Sequence, residues 1–200
     1  MYYKIKEDGI FKIDLGTFWD SGECVGVFKM TEWDNEKILW EKCGIWHTVD
    51  EIHFCKMESH RDFLYGTFQM PAKEYGKKDE LFAIYILKDR VIILSDDDSI
   101  DKNIIKISGH AIAKDYSLER FIYDFFMSFI EDELLFLQKI EHKITGIEEQ
   151  VMKEQSDKFN IGLLKLKKII ARFYHYYTQL AEAGDELAGN EEEFFTEEQD

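Results

Sequence analysis

Carboxylates are the side chains best placed to do chemistry in this chain of 200 residues, where 41 Asp and Glu face 25 Lys and Arg for a formal net charge of −16. Hard divalent cations take oxygen ligands, and Mg²⁺ keeps most of its waters and needs only one or two direct carboxylates. Asp96, Asp97 and Asp98 stand together at the end of an apolar run, and Glu131, Asp132 and Glu133, with Glu148 and Glu149, recur along a helical stretch. Adjacent strand residues alternate faces, so the first group reads better as a turn and helix N-cap than as a chelate. The second group alone is a solvated helix face. Together with the acidic tail at residues 190–200, Glu131, Asp132, Glu148 and Glu149 outline an acidic surface expected to attract hydrated Mg²⁺ weakly.

Softer donors are scattered. His47, His53, Cys55 and His60 follow one another at spacings of six, two and five, which fit no standard zinc site, and ordinary core and surface positions are expected. His142 and His175, one on each helix of an expected hairpin, read as packing residues rather than ligands. Cys24, Cys43 and Cys55 are odd in number without a C-x-x-C pair, so reduced thiols are expected rather than a disulfide framework. The chain contains no G-x-S-x-G, P-loop, G-x-G-x-x-G or H-E-x-x-H, so no enzyme is expected. Its negative charge excludes a phosphate-backbone partner, since nucleic-acid binders need a basic stripe to release counterions.

The elements that would position these carboxylates fall into two parts followed by a tail. Residues 1–115 read as a mixed α/β domain, residues 116–189 as a long helical hairpin, and residues 190–200 as an acidic tail. In the first part GIFKIDL and ECVGVFKM are short β-branched and aromatic runs bounded by Gly and Asp, as half-buried strands are. TEWDNEKILWEKCG switches to a helical period, with Thr31 at its start and Gly44 suited to a left-handed C-terminal position. A second short helix is expected from Thr48 to Cys55. FLYGTFQMP and LFAIYILKDRVIILSDD are apolar on both faces, as central strands are, with Lys88, Asp89 and Arg90 forming a hairpin turn. Residues 106–117 read as a linker.

From Leu118 to Lys153 only Gly146 interrupts the helical pattern, and a single helix of that length would extend roughly 50 Å at 1.5 Å per residue. Ile130, Leu137, Ile144 and Val151, with Ile140 and Ile147, suggest a heptad seam that Leu134 and Leu135 widen. Turn-formers at 154–160 then lead to a second helix whose face, through Leu163, Leu166, Ile170, Phe173, Tyr177, Leu180 and Ala181, folds back on the first. The aromatic run Phe173–Tyr177 covers more than one helix face and demands burial against the sheet domain or a neighbouring subunit. The expected fold is α+β: an N-terminal mixed sheet covered by helices, followed by a long antiparallel helical hairpin. No window approaches the 18 or so apolar residues of a bilayer span, and no export signal opens the chain.

Three stretches carry a resemblance: KMESHRDFLYGTFQM at 56–70, FAIYILKDRVIILSDD at 82–97, and LERFIYDFFMSFIEDELLFLQKIEHKITGIEEQVMK at 118–153. In order and spacing they resemble the cytosolic N-terminal part of the CorA family of divalent-cation transporters, over most of residues 50–187. The resemblance implies a homopentamer of funnel-forming cytosolic domains at the cell membrane, with Mg²⁺ between neighbouring subunits holding the pore shut. It places one regulatory carboxylate just before the KMES strand, where an ungapped match puts His47 and a shift of one turn puts Asp50 or Glu51. The family's stalk helix, membrane spans and Gly-Met-Asn signature have no counterpart here, so an excised soluble domain that does not itself conduct is expected. Mg²⁺ is the expected ion, with Co²⁺ or Zn²⁺ as alternatives inside the family. A freestanding coiled-coil adaptor, oligomerising through residues 118–187, is the alternative from another class.

Overall fold

The computed structural model describes residues 1–35, 41–45, 49, 51–73, 77–110, 115–131, 133–152 and 156–189. Seven strands form one sheet: β1 (Tyr2–Lys6), β2 (Gly9–Ile13), β3 (Cys24–Phe28), β4 (Lys56–His60), β5 (Phe63–Met70), β6 (Glu80–Leu87) and β7 (Arg90–Leu94). Their order across the sheet is β2-β1-β3-β7-β6-β5-β4. All neighbours are antiparallel except β3 and β7, which run parallel with Gly26 opposite Ile92. The helices are α1 (Leu15–Asp20), α2 (Met30–Asn35), α3 (Ser99–His110), α4 (Leu118–Ile130), α5 (Glu133–Met152) and α6 (Ser156–Gly189).

Alternation along the strands builds a core on each face of the sheet. On one face Val25, Phe82, Ile84, Ile86, Val91 and Ile93 meet Ile100, Ile104 and Ile107 of α3 and Phe121, Ile122 and Phe125 of α4. On the other, Tyr65, Tyr85, Ile92 and Leu94 meet Phe18 of α1, Trp33 of α2 and Ile45. Asp14 caps α1 by accepting the Thr17 N–H at 3.0 Å and the Thr17 hydroxyl at 2.8 Å. Ser117 caps α4 by accepting the Arg120 N–H. Gly44 adopts φ +67°, the left-handed conformation its place after a helical turn calls for.

Three expectations change. The linker expected at 106–117 begins instead as the last turns of α3, because Ile100, Ile104 and Ile107 recur at i, i+4 and i+7 and hold it on the sheet. The single helix expected from Leu118 to Lys153 is two, α4 capped by Glu131 and α5 starting at Glu133. Neither Gly nor Pro marks that break; α4 is committed to the sheet by Phe121 and Phe125, while α5 packs on α6. The expected helix Thr48–Cys55 is not helical at residues 49 and 51–55. There the Phe54 carbonyl accepts the Thr67 hydroxyl, and the Cys55 N–H reaches the Gln179 side chain, leading the chain into edge strand β4 instead.

Helices α5 and α6 form the antiparallel hairpin. Phe136 near the start of α5 meets Phe173 midway along α6 at 4.4 Å, whereas Ile147 near the end of α5 lies against Gly162 early in α6. The contact line is Phe136, Ile140, Ile144 and Ile147 against Leu166, Ile169, Phe173 and Tyr177; the expected seam contributes Ile140, Ile144 and Ile147, whereas its Ile130 and Leu137 are exposed. Leu134 and Leu135 are 73% and 57% exposed. Val151 has no described side chain. On α6, Leu163 and Ile170 are exposed, while Tyr176 and Ala183 are buried where the helix lies along edge strand β4. The sheet domain is thus what buries the second side of the aromatic run, and the edge of β4 is covered.

Candidate functional site

Asp50, His47 and Asp132 lie outside the described residues. Glu51 is exposed, with its carboxylate 3.1 Å from His53 Nε2. Glu131 ends α4 and pairs with Lys106 Nζ at 2.6 Å. Glu148 and Glu149 are exposed on α5, about 22 Å along the helix from Glu133 by its 1.5 Å rise. The candidate acidic surface is therefore spread along the rod rather than gathered. Among the described residues no group of three or more His, Cys, Asp or Glu is arranged to hold a metal ion.

The aspartate triplet acts as a turn and a capping device. Asp96 Oδ1 accepts the Met30 N–H at the start of α2, Asp97 Oδ1 accepts the Ser99 N–H, and Asp98 pairs with Lys29 at 3.1 Å. The soft donors also stay apart. Cys55 is buried with its thiol toward the Gln69 carbonyl, His53 is exposed, and His60 stacks on Phe63 at 4.6 Å. His142 and His175 are exposed on their helices rather than packed, because the buried line of the hairpin runs through Phe136, Ile140 and Phe173 instead.

Polar groups do converge at the joint between sheet and hairpin. Glu133, only 7% exposed at the first position of α5, pairs with Lys73 Nζ at 3.1 Å and accepts a hydrogen bond from the Tyr177 hydroxyl. A carboxylate at a helix N-terminus also meets the positive end of the helix dipole. Burial first, then the Glu133 carboxylate, pushes the Tyr177 phenol above its usual range, so it remains a donor. Arg172 pairs with Asp79, which also accepts from Gln69 Nε2 at 2.8 Å and the Ala72 N–H at 3.1 Å. These bonds tie the ends of the β5–β6 connection to both hairpin helices.

From this joint a groove runs along one flank of the hairpin. Three adjoining cavities of about 370, 670 and 440 Å³ make it up; the first two share Lys73, and the last two share Lys143. Its floor is Phe136, Ile140, Ile147, Leu166 and Ile169, and its rim is Lys73, Lys139, Lys143 and Lys165. The reading of the hairpin from its acids passed over these bases. Lys139 and Lys143 at i, i+4 were the available signal that one flank of α5 is basic.

A mixed sheet with helices on both faces and an antiparallel hairpin along one edge is the fold of the CorA soluble domain. The soluble domain of CorA from Methanocaldococcus jannaschii matches with a TM-score of 0.71 at 15% identity, over 100% of this chain and 83% of that one. The complete CorA magnesium transporter from the same organism matches at 0.72 and 16%, over 99% of this chain and 65% of that one. The full-length CmaX protein matches at 0.74 and 13%, over 98% and 65%. Comparison with curated proteins gives no match. A family profile described as CorA-like Mg²⁺ transporter protein matches residues 42–200. The chain belongs to that family.

Proposed function

We propose that this chain is the cytosolic regulatory domain of a CorA-like Mg²⁺ transporter, sensing divalent cations and gating a pore formed by membrane segments outside it. The family match over residues 42–200 is the observation that carries the reading. The domain sits at the cytoplasmic side of the cell membrane as one of five copies around the ion path. It performs no catalysis: its work is a change in how neighbouring copies sit, driven by cations that screen facing carboxylates. No described helix is long and apolar enough to cross a membrane.

The described donors fit a hydrated, weakly held cation better than a chelated one. Glu51 is exposed and, among the described residues, pairs with His53, so regulatory Mg²⁺ would keep most of its waters there and take further oxygens from Asp50 or from another copy. The acidic faces at Glu131, Asp132, Glu148 and Glu149 supply long-range attraction instead.

The test is flux through the full-length protein in proteoliposomes loaded with a Mg²⁺-sensitive dye. The expected result is Mg²⁺ entry that millimolar Mg²⁺ on the side of this domain suppresses, with the suppression weakened by Asp50→Asn with Glu51→Gln. Flux of Zn²⁺ or Co²⁺ without Mg²⁺ would reassign the cargo. Absence of any flux, with a stable oligomer indifferent to cations, would replace the reading with the coiled-coil adaptor.

A further inference from the structure

Polar side chains without protein partners gather in the cavity at the joint of sheet and hairpin. On β6, Glu80 shares a strand face with Phe82 and Ile84, by the two-residue alternation of a strand. On α3, Asn103 falls three residues after Ile100 and four before Ile107, on the side that lies against the sheet. Both are half-buried, and both line the cavity of about 370 Å³. Among the described residues neither side chain makes a hydrogen bond or an ion pair. Tyr176 of α6 lines the same cavity at 5% exposure, and its hydroxyl is likewise without a partner among them. Burial first, then Cys55 and Glu133, push that phenol above its usual range, so it stays a donor. Buried polar groups are as a rule hydrogen-bonded, and three unsatisfied ones around one cavity mark a place whose partners come from a ligand.

The rest of the wall says which ligand. Phe129, whose ring stacks on Phe82 at 5.4 Å, supplies an aromatic surface. Lys77 and Lys78 bring positive charge to the lining, whereas Lys73 is engaged by Glu133. The volume falls at the small end of the range of small-molecule sites, about 300–1,000 Å³. We propose that this cavity binds a nucleoside monophosphate.

Each unsatisfied group then has a use. A carboxamide offers a donor and an acceptor together, as the edge of a base requires, so Asn103 reads the base while Phe129 stacks on it. The Glu80 carboxylate accepts from ribose hydroxyls, Lys77 and Lys78 take the phosphate as ammonium donors, and the Tyr176 phenol adds a donor from the buried wall. A free nucleotide suits the chain better than a nucleic acid, because a net charge of −16 repels a polyphosphate backbone. Its occupant touches the β5–β6 connection, α3, α4 and α6 at once, so binding stiffens the joint on which the hairpin is held. The site does not depend on which cation is transported.

The test is titration calorimetry of the full 200-residue chain with AMP, and separately with inorganic phosphate, beside a thermal melt with and without AMP. The expected result is 1:1 binding of AMP with a Kd below about 1 mM and a raised melting temperature. Inorganic phosphate should bind at least about tenfold more weakly, since it leaves Asn103, Glu80 and Phe129 unused. Lys78→Glu, at an exposed position, and Asn103→Leu should each weaken AMP about tenfold or more. Tyr176→Phe separates binding from folding. It removes only the unsatisfied hydroxyl, so the melting temperature of the free chain should hold or rise while AMP affinity falls. Circular dichroism checks that every variant folds. A wild type that takes up no AMP, phosphate binding as tight as that of AMP, or AMP binding that Lys78→Glu, Asn103→Leu and Tyr176→Phe all leave untouched would each overturn the proposal.

Discussion

Phe173→Ala probes whether the hairpin and the sheet unfold as one body. Phe173 is 3% exposed, its ring lies 4.4 Å from that of Phe136, and it belongs to the cluster that also contains Phe82 and Ile84 of the sheet. Truncating a buried Phe costs about 3–5 kcal/mol through lost transfer energy and the cavity left behind. With a urea slope of about 2 kcal/mol/M the midpoint falls by roughly 2 M. In heat, the melting temperature drops by about 10 °C. Trp19 and Trp33 pack in the cluster with Tyr85 and Ile92 of the sheet, so their fluorescence reports that part of the molecule. Far-UV circular dichroism instead reports the hairpin, whose two helices hold 20 and 34 residues. The shared cluster requires both signals to shift together by the same amount. A dichroism midpoint that falls while the tryptophan midpoint stays put would refute that coupling.

Two further changes test the opposite face of the sheet and the buried titrating groups. Gly26→Ala places a methyl 2.7 Å from the Phe28 ring and 2.9 Å from the Phe18 ring, so overpacking should cost about 1–3 kcal/mol in a thermal melt. Burial lifts the Cys43 thiol from its ordinary 9.0 to about 12 and raises Cys24, Cys55, Tyr116 and Tyr176 as well. The folded chain holds these protons more tightly than the unfolded one. Stability should therefore be unaffected by these groups below about pH 9 and fall as pH climbs toward 12. Urea midpoints across that range check it, and Cys43→Ala should flatten the decline.

Central strands were the most legible elements, because β6 and β7 are buried on both faces and their sequences are correspondingly continuous in apolar residues. The edge of the fold was less so. Tyr3 and Ile5 point inward from β1 with Lys4 between them and Lys6 after, an alternation that the sequence carries in too few residues to stand out. Residues 106–117, with one glycine and few long apolar side chains, read as a linker, yet helix α3 runs on to His110 because its isoleucines face the sheet. Two strongly helical halves on either side of Glu131 offered no local sign that they would follow different partners. The hairpin seam was legible in part, through Ile140, Ile144 and Ile147, while the meeting of Phe136 with Phe173 lay outside the heptad count. Carboxylate spacing could suggest a cation surface, but spacing along a rod says nothing about convergence. The basic flank emerges only when two helices and the Lys73 loop are set side by side.

The parallel pairing of β3 with β7 has a consequence for synthesis. Gly26 waits for Ile92, some 65 residues later, before the middle of the sheet can close. Closing a loop of that length costs roughly 4 kcal/mol of chain entropy, to be recovered only when flanking strands and α3 arrive. On the ribosome the first 28 residues must therefore emerge as an exposed apolar and aromatic ribbon, and the antiparallel run β4 to β7 is the template on which they settle.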